Sequence, residues 1–306
     1  MIQGQRCAVF SCLGLGDGLL TLILSHNLEK NGNQVTTFHP FLHALQDWFP
    51  SLPIRPFPPL SDLDSYDRFY IFYEKTERML SVLDYCQKHH PEKTFVLNPI
   101  ATCNRDYPYW EVGKFQGDRT FVDNLYSYCK TILQLPNPTR KNGITAPSGL
   151  LRRRHTKRVV LHPTSSRPGK NWPQHKFESL AALLRQTGFQ PVFILGAEER
   201  EGWEAQEAPQ FASLSAMAAY VYESGYMVGN DSGIGHLASC FGLPTVTICR
   251  SGHTALFWRP GWAPGEIVYP APWIPNIKFL RLRDKYWKKW ISVRRVFNTF
   301  KKLTKN

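Results

Sequence analysis

Short apolar runs alternate with helical segments along this chain, and the whole alternation occurs twice. No other feature of the sequence restricts the fold as much, because buried strands that alternate with helices are typical of a parallel α/β sheet. A length of 306 residues also exceeds what one ordinary hydrophobic core accommodates. We therefore predict an α/β protein with two similar domains.

The first half contains the predicted N-terminal domain, residues 1–140. Segment 7–32 reads as a strand, a glycine-rich turn and a helix. Further strands are predicted at 34–40, 69–73 and 94–99, where short apolar runs recur. Five prolines between residues 50 and 59 indicate an extended loop, since proline interrupts helices and strands.

A segment rich in proline, glycine and charge follows, and we predict a linker at 141–157. The alternation then resumes with "RVVLHP" and continues through "YMVGND" and "PTVTIC", which makes residues 158–282 a second predicted domain. We expect two Rossmann-like domains that face a cleft, with ligands bound at the carboxyl ends of the strands.

Positive charge is concentrated at the C-terminus. The net charge is +13, and the last 29 residues hold eleven lysines and arginines against one acid, Asp284. Apolar side chains repeat there at helical spacing, which predicts a basic amphipathic helix over 283–306. The predicted apolar stripe consists of Tyr286, Trp290, Val293, Phe297 and Phe300. Such localised charge indicates an anionic partner: a membrane surface, a nucleic acid or a phosphorylated substrate.

The seven cysteines include no CxxC pair. Their odd number and mostly apolar surroundings argue against a disulfide framework or a zinc site, and a reducing cytoplasm is the simpler setting. The sequence also lacks GxSxG, P-loop and HExxH motifs. Serine hydrolase, P-loop and zinc-protease chemistry therefore have no support.

Three glycines, Gly14, Gly16 and Gly18, follow the first predicted strand. They permit a tight turn into a helix, whose first N–H groups are available to a ligand. Their spacing departs from GxGxxG, so it does not predict a dinucleotide site. Asp17 lies in this turn, where it is either the helix N-cap or a catalytic base.

Hydroxyl and cationic side chains follow the first strand of the second domain. Thr164 and Ser165 offer hydroxyl donors and Lys170 a positive charge, a combination that suits a diphosphate. A solvent loop that caps the next helix is the alternative. Glu198 and Glu199 follow the next strand, where a carboxylate suits either the two hydroxyls of a ribose or the start of a solvated helix.

The segment "GNDSGIGH" places four polar side chains where a buried strand meets a helix. Either Asp231 or Ser232 is expected to be the N-cap of that helix, but capping does not require His236 as well. Gly233 allows a ligand to approach the backbone closely. We therefore predict an anion or nucleotide site at this turn.

Four segments share their order and spacing with one known family. They are "GLGDGLLTLILSHNL", "HPTSSRPGKNWP", "FILGAEE" and "VGNDSGIGHLASCFGLPTVTI". In them the chain resembles glycosyltransferase family 9, the lipopolysaccharide heptosyltransferases and their relatives. The most specific part is the Asp-Ser-Gly-x-x-His-x-Ala run before Gly-x-Pro. The resemblance implies a GT-B fold, and we expect the C-terminal helix to return to the first domain.

The resemblance also implies an inverting glycosyltransferase that needs neither a metal nor a cofactor and takes heptose from ADP-heptose. Asp17 matches the general base, and Gly14, Gly16 and Gly18 form the acceptor-side loop around it. The implied donor-binding residues are Thr164, Ser165, Lys170, Glu198 or Glu199, Asp231, Ser232, Gly233 and His236. A base near the acceptor oxygen and a cation near the departing diphosphate suit attack on an anomeric carbon.

The expected partners are a nucleotide sugar and an anionic glycolipid acceptor such as lipid A-Kdo, with no nucleic acid. We expect a cytoplasmic protein whose basic helix contacts the cytoplasmic face of the inner membrane. Two alternatives stay open: a family 9 transferase with another sugar nucleotide or acceptor, and a non-catalytic polyanion-binding protein. The second predicts basic and aromatic residues interleaved on a sheet face, whereas here they gather in a linker and a terminal helix.

Overall fold

The structure is a computed structural model that describes residues 4–98, 115–203, 206, 208–252, 255–276 and 281–305. It divides into two compact units. Unit 1 contains the residues up to Gln116 together with Phe121–Thr145, and unit 2 contains Gly117–Thr120 together with the chain from Ala146 onward. The division after Thr145 falls inside the predicted linker.

The first residues of the predicted linker belong to unit 1 because they pack into it. Asn142 is 2% exposed, and its Nδ2 donates to the backbone oxygen of Leu19 at 3.1 Å. Gly143 has a φ of 82°, and a Cβ there would lie 2.9 Å from Leu52 Cδ1. Unit 1 therefore extends beyond residue 140.

Unit 1 is built on a parallel five-stranded sheet with the order β3-β2-β1-β4-β5. The strands are β1 (Arg6–Phe10), β2 (Gln34–Phe38), β3 (Ile54–Arg55), β4 (Arg68–Phe72) and β5 (Thr94–Leu97). The helices are α1 (Leu15–Lys30), α2 (Glu77–His89) and α3 (Phe121–Thr131). The strands predicted at 34–40, 69–73 and 94–99 correspond to β2, β4 and β5, and the last residue of that third prediction, Pro99, lies outside the described residues.

Strand β3 lies within the segment that its prolines marked as a loop. It pairs through carbonyl oxygens: the N–H of Thr37 donates to Pro53 O at 2.9 Å, and that of His39 donates to Arg55 O at 2.9 Å. Proline lacks an N–H but keeps its carbonyl, so it is compatible with a short strand at the edge of a sheet. The proline pattern therefore concealed a real, two-residue edge strand.

Unit 2 has a second parallel five-stranded sheet, with the order β10-β9-β8-β6-β7. The strands are β6 (His155–His162), β7 (Gln190–Phe193), β8 (Ser224–Asn230), β9 (Thr245–Ile248) and β10 (Gly265–Val268). The helices are α4 (Gln174–Gln186), α5 (Leu214–Tyr222), α6 (Gly233–Cys240), α7 (Ala255–Trp258), α8 (Leu282–Lys285), α9 (Trp287–Trp290) and α10 (Val293–Leu303). The predicted α/β class is confirmed in both units.

Each sheet has a point at which the chain changes the direction in which it adds strands. In unit 1, β2 and β4 lie on opposite sides of β1, and in unit 2, β7 and β8 lie on opposite sides of β6. Ligands of open parallel sheets bind outside the carboxyl ends of the strands at such a switch point. The loops after β1 and β4, and those after β6 and β8, are therefore where each unit is built to hold a ligand.

The terminal helix corrects one prediction. Val296 and Phe300 of α10 are fully buried, and the Phe300 ring makes edge contacts with Phe189 and Tyr226 at centroid distances of 5.0 and 5.2 Å. The expected return of this helix to the first domain is wrong, because its apolar face completes the hydrophobic core of unit 2.

The predicted single helix over 283–306 is three short helices. The backbone leaves the helical region at Tyr286 and again at Ile291. A stripe counted through these breaks selects the wrong face, so Trp290 is 43% exposed whereas Trp287 is 3% exposed. Only the part of the predicted stripe within α10 packs on the core.

The described part of the chain contains no helix that is both long enough and apolar enough to span a bilayer. Six cysteines are described, and all six are free thiols. Cys103 lies outside the described residues.

Candidate active site

Asn230 ties together the two loops that meet at the switch point of unit 2. It is the last residue of β8 and is 1% exposed. Its Oδ1 accepts the backbone N–H of Trp172 at 3.0 Å, and its Nδ2 donates to the backbone oxygen of Pro163. Asn230 therefore fixes the loop after β6 against the end of β8, a role that no sequence pattern indicated.

Lys170 and Asp231 face each other between these loops, with Nζ 3.3 Å from Oδ2. The two side chains are 42% and 27% exposed. A pair this accessible to water contributes only about 0–1 kcal/mol to stability. The pair instead holds an ammonium group beside the switch point, where an incoming anion is able to replace the carboxylate as its partner.

Three polar atoms in this region are buried without a hydrogen-bond partner among the residues that the structure describes. They are Thr164 Oγ1, Ser232 Oγ and His236 Nδ1. Leaving such an atom unsatisfied costs about 1–3 kcal/mol, and folded proteins satisfy nearly all of them. Three unsatisfied atoms on three predicted site residues indicate that a ligand or ordered water completes their hydrogen bonds.

His236 lies one turn into α6 and is 5% exposed. Burial lowers the pKa of its imidazole, while the Asp231 charge and a hydrogen bond with the backbone of Trp258 act in the opposite direction. The ring stands edge-on to Trp262, with the centroids 6.2 Å apart. The lowered pKa keeps the ring neutral at pH 7, so Nδ1 is able to make one hydrogen bond to a ligand.

Helix α6 presents its N-terminus at the same place. Ser232 is its N-cap residue, with an extended backbone, but the hydroxyl makes no capping hydrogen bond. The prediction that Ser232 or Asp231 caps the helix is therefore right for the position of Ser232 and wrong for its side chain. The N–H groups from Gly233 onward and the helix dipole favour an anion here.

Ser165 is engaged within its own loop. Its hydroxyl is 2.7 Å from Asn171 Oδ1 and 3.1 Å from the backbone oxygen of Arg167. It thereby shapes the short 3₁₀ turn, Pro168–Lys170, that carries the cation. The Thr164 hydroxyl, by contrast, has no hydrogen-bond partner among the described residues.

Glu198 and Glu199 lie in a 3₁₀ turn after β7. The backbone N–H of Gly196 donates to Glu199 Oε2 at 2.7 Å, so this carboxylate caps its own turn. Glu198 is exposed. The two acids that the sequence left equivalent are therefore different in the structure.

His162, the last residue of β6, is a buried residue beside the candidate site to which the sequence patterns assigned no role. It is 5% exposed, and its Nδ1 is 2.8 Å from the backbone oxygen of Ile194. A carbonyl only accepts, so Nδ1 is protonated and donates. Burial lowers the pKa of this ring, while the Ile194 hydrogen bond and the Glu199 charge raise it. His162 thereby joins the carboxyl ends of β6 and β7.

The turn after β1 in unit 1 brings Asp17 back over Gly14. Helix α1 begins at Leu15 with Gly14 as its N-cap residue, so Asp17 is the third helical residue and not the N-cap. A Cβ on Gly14 would clash with Asp17 Oδ2, so only glycine leaves room for the carboxylate. Gly16 lies between them in the same turn.

His39 is hydrogen-bonded to this turn, and the sequence assigned it no role. Its Nδ1 accepts the N–H of Leu42 at 3.0 Å, so the proton is on Nε2, which donates to Gly14 O at 3.2 Å. Burial lowers the pKa of His39 to about 4, which keeps the ring in this neutral form. A Cβ on Gly18 would lie 2.8 Å from His39 Cδ2, so a glycine is required there too.

A cavity of about 170 Å³ opens at the switch point of unit 1. The N–H of Leu13 donates to Glu74 Oε2 at 3.0 Å across it. Burial raises the pKa of Cys12, and the charges of Asp17 and Glu74 raise it further, so two carboxylates lie near the same thiol. The lining residues are Ser11, Leu13, Pro40, Pro56, Phe57, Glu74, Thr76, Arg78 and Met79.

The predicted residues thus fall into two groups, one in each unit. The switch point of unit 2 collects Thr164, Lys170, Asp231, Ser232, Gly233 and His236, and Glu198 and Glu199 follow the adjacent strand. The switch point of unit 1 holds Asp17 with Gly14, Gly16 and Gly18.

Residues 131–268 match the model of one protein family, described as glycosyltransferase family 9 (heptosyltransferase). This region includes the loops after β6, β7 and β8 but not the turn that carries Asp17. Lipopolysaccharide heptosyltransferase 1 of Escherichia coli (strain K12) is 29% identical to the chain over 122 residues. The alignment covers 37% of this chain and 37% of that protein, little more than a third of the relative's length.

Two solved structures share the fold over nearly the whole chain. The glycosyl transferase family 9 protein from Veillonella parvula DSM 2008 has a TM-score of 0.73 at 18% identity, covering 99% of this chain and 98% of that one. E. coli heptosyltransferase WaaC, solved with ADP-2-deoxy-2-fluoro heptose, has a TM-score of 0.60 at 14% identity, covering 97% and 99%. Identities this low show the fold alone, and they confirm the predicted GT-B class.

The family match and the structural likeness support each other. The match contains every predicted donor-binding residue, and the likeness extends to both five-stranded sheets. The resemblance predicted from the sequence is therefore confirmed. Residues 131–268 carry the match to glycosyltransferase family 9 (heptosyltransferase), and the chain is similar there to a lipopolysaccharide heptosyltransferase.

Proposed function

We propose that the chain transfers heptose from ADP-heptose to an anionic glycolipid, such as the lipid A-Kdo stage of lipopolysaccharide, with inversion at the anomeric carbon. The names of the relatives support this choice, since one is a lipopolysaccharide heptosyltransferase and another was solved with an ADP-heptose analogue. In this chain, the supporting observation is the set of unpartnered buried atoms on Thr164, Ser232 and His236.

The proposed donor site is the switch point of unit 2. The diphosphate replaces the Asp231 carboxylate as the partner of the Lys170 ammonium. It also accepts hydrogen bonds from the hydroxyls of Thr164 and Ser232. The N-terminus of α6 adds backbone N–H donors. We propose that these groups meet the charge of the departing diphosphate without a metal ion or another cofactor.

Glu198 is the proposed ribose ligand. Glu199 already accepts the Gly196 N–H within its own turn, so binding of the ribose by Glu199 would leave that turn uncapped. Glu198 is exposed at the end of the neighbouring strand. A carboxylate there is able to accept hydrogen bonds from both ribose hydroxyls.

Asp17 is the proposed general base. It takes the proton of the acceptor hydroxyl as that oxygen bonds to the anomeric carbon of the heptose. The bond from this carbon to the diphosphate oxygen breaks at the same time, and ADP leaves with the electron pair. A single displacement of this kind inverts the anomeric carbon, and a positioned base typically contributes about 10²–10⁴ in rate.

The proposed acceptor site is the cavity at the switch point of unit 1. Arg78 lines it, with Nη2 2.6 Å from the backbone oxygen of Phe57 and the guanidinium carbon over the Phe57 ring, 5.1 Å from its centre. Arginine has further N–H donors in a planar fork that matches a carboxylate or phosphate of the acceptor. We propose that the reaction takes place at the cytoplasmic face of the inner membrane, where such a glycolipid lies.

The donor assignment is tested by the thermal unfolding midpoint of the full chain with ADP-, UDP-, GDP- and CMP-linked sugars. Only ADP-heptose is expected to raise it, because a ligand that binds the native state stabilises that state. Lys170→Gln should weaken ADP binding by roughly 10- to 100-fold, since a charged hydrogen bond is worth about 1.5–3 kcal/mol. The exposed Lys157→Gln is the matched control and should bind like the wild type.

The panel also separates the alternatives. If another nucleotide sugar raised the unfolding midpoint, the proposed donor would be wrong but the proposed site would stand. No shift with any of them, or an unchanged affinity in Lys170→Gln, would contradict the donor site itself.

A further inference from the structure

Two tryptophans of unit 2 are exposed to solvent. Trp273 is 80% exposed and Trp290 is 43% exposed, whereas Trp172 and Trp287 are buried. An indole is a large apolar surface with one polar N–H, and it is usually found in a core or at an interface. Two exposed indoles therefore mark a surface that is built to contact something.

Both indoles belong to one local surface because their segments are fastened to α8. Arg283 Nη1 donates to the backbone oxygen of Pro272 at 3.0 Å, next to Trp273. Trp290 Nε1 donates to the backbone oxygen of Leu282 at 3.4 Å. We define residues 271–276 and 281–290 as the tryptophan–lysine surface.

This surface is cationic. Arg281, Lys285 and Lys289 are exposed, and Asp284 is the one acid in the sequence from 281 to 305. The Nζ atoms of Lys285 and Lys289 each lie 5.3 Å from the centre of the Tyr286 ring. These cation–π contacts hold two ammonium groups beside the exposed indoles.

The inner side of the surface is anchored in the core of unit 2. Trp287 and Ile291 are buried, at 3% and 0% exposure. Lys176 Nζ donates to the backbone oxygens of Lys288 and Ile291 at 2.6 and 2.9 Å, and Trp172 Nε1 donates to that of Ile291 at 3.1 Å. The exposed residues therefore project from a fixed base.

We propose that the tryptophan–lysine surface docks the protein on a membrane that contains anionic lipids. Indoles lie at the headgroup level of bilayers, and clustered lysines are attracted to anionic headgroups. Single-stranded nucleic acid is bound instead by aromatic rings along a cationic groove. The Trp273 indole is 80% exposed, so most of its surface is open for insertion among lipid headgroups, which favours the lipid surface.

This proposal extends the proposed function, which rests on a glycolipid acceptor in the same membrane. Docking is measured without donor or acceptor, so either proposal is able to fail alone. Truncation of the terminal region is unsuitable, because Ile291, Val296 and Phe300 belong to the core of unit 2. Point variants of exposed residues leave that core intact.

The test is co-sedimentation of the full chain with phosphatidylcholine vesicles, with and without phosphatidylglycerol. The wild type should sediment only with the anionic vesicles. Lys285→Gln with Lys289→Gln should lower the partition coefficient roughly 30-fold at low salt, the equivalent of about 1 kcal/mol per lysine. Trp273→Ser with Trp290→Ser should lower it on the order of tenfold, because apolar insertion is lost.

Matched controls come from exposed residues elsewhere. Lys75→Gln with Lys130→Gln in unit 1, and Leu151→Ser, which removes a 62% exposed apolar side chain in unit 2, should bind like the wild type. The thermal unfolding midpoint should be unchanged in all variants, which shows that unit 2 is folded. Equal binding to neutral vesicles, undiminished binding of the paired variants, or stronger binding to a single-stranded oligonucleotide than to anionic vesicles would overturn the proposal.

Discussion

Two serines of unit 2 differ in what their hydroxyls do: one is available to a ligand, and the other stabilises the fold. Ser232 Oγ is buried without a partner in the part of the chain that the structure describes. Ser239, seven residues later in the same helix, accepts the backbone N–H groups of Trp262 and Ala263 at 3.1 and 3.0 Å. The first hydroxyl is free for a ligand, and the second holds the fold together.

Ser232→Ala should therefore leave the stability of the free protein unchanged or raise it by up to about 1 kcal/mol, since it removes an unsatisfied group. It should weaken ADP binding on the order of tenfold. Ser239→Ala should lower the free energy of unfolding by about 1–3 kcal/mol and leave ADP affinity unchanged once folded. Urea unfolding and calorimetric titration measure both effects. Equal destabilisation by the two substitutions would contradict the assignment.

Buried histidines make stability depend on pH. The pKa of His39 is lowered to about 4 by burial, whereas an unfolded histidine titrates at about 6.5. Between these values the unfolded chain binds the additional proton, so stability falls as the pH drops from 6.5 towards 4. His162 and His236, whose pKa values are also lowered by burial, act in the same direction.

His39→Gln is expected to reduce this pH dependence, because glutamine keeps an N–H for Gly14 O but does not titrate. Between pH 7.5 and pH 5, its loss of unfolding free energy should be smaller than that of the wild type by about 2 kcal/mol. The exposed His175→Gln, whose charge is not among the groups that shift the pKa of His39, is the matched control. A pH profile of unfolding that is identical in the wild type and His39→Gln would contradict the role of His39.

Residue types and their positions after strands were predictable, but their hydrogen bonds were not. Thr164, Lys170 and Asp231 were found because polar side chains in strand-end loops are conspicuous beside apolar runs. The engagement of Ser165 and Glu199 within their own turns depends on loop geometry that spacing does not specify. The Asn230–Trp172 bond joins residues 58 positions apart, so no local pattern contains it.

At the level of elements, the close approach of β8 to β6 positions the proposed donor site. A Cβ on Gly229 would lie 2.6 Å from His162 O, so this glycine lets the two strands pair next to the switch point. Gly235 in α6 differs, since a Cβ there would meet only Pro260, at an ordinary 3.6 Å. Two glycines six residues apart in one motif therefore have different reasons to be present.

Gly229→Ala should destabilise unit 2 by roughly 1–3 kcal/mol through overpacking and remove most ADP binding. Gly235→Ala should be neutral or stabilising by about 0.5–1 kcal/mol, because alanine is the better helix former. The thermal unfolding midpoint and ADP affinity check both variants. Wild-type stability and ADP affinity in Gly229→Ala would contradict the close packing of β8 against β6.

Most elements of both sheets followed from the alternation of apolar runs, because a strand buried on both faces reads as a short apolar run. The failures have physical causes. Strand β3 has two residues between prolines, and the breaks at Tyr286 and Ile291 divide a helix whose periodicity looks continuous in the sequence. The terminal apolar stripe was visible, but the unit on which it packs depends on tertiary contacts.

At the scale of the whole molecule, the predicted roles are divided between two units of similar construction. Unit 2 holds the residues proposed for the donor, and unit 1 holds the carboxylate proposed for proton removal. The basic C-terminal region is neither a loose tail nor part of the first unit, since α10 is built into the core of unit 2. A division of this kind predicts that binding and turnover can be lost separately.

Asp17→Asn is the most direct test of this division. Asparagine has the shape of aspartate but does not accept the proton, so turnover of ADP-heptose with a glycolipid acceptor should fall about 10²–10⁴-fold. The dissociation constant for ADP-heptose should stay within about threefold of the wild-type value, well under the tenfold that 1.4 kcal/mol represents. The exposed Asp84→Asn, on α2 of unit 1, is the matched control and should retain both. Turnover within tenfold of the wild type, or a loss of donor affinity that parallels the loss of turnover, would contradict the proposed role of Asp17.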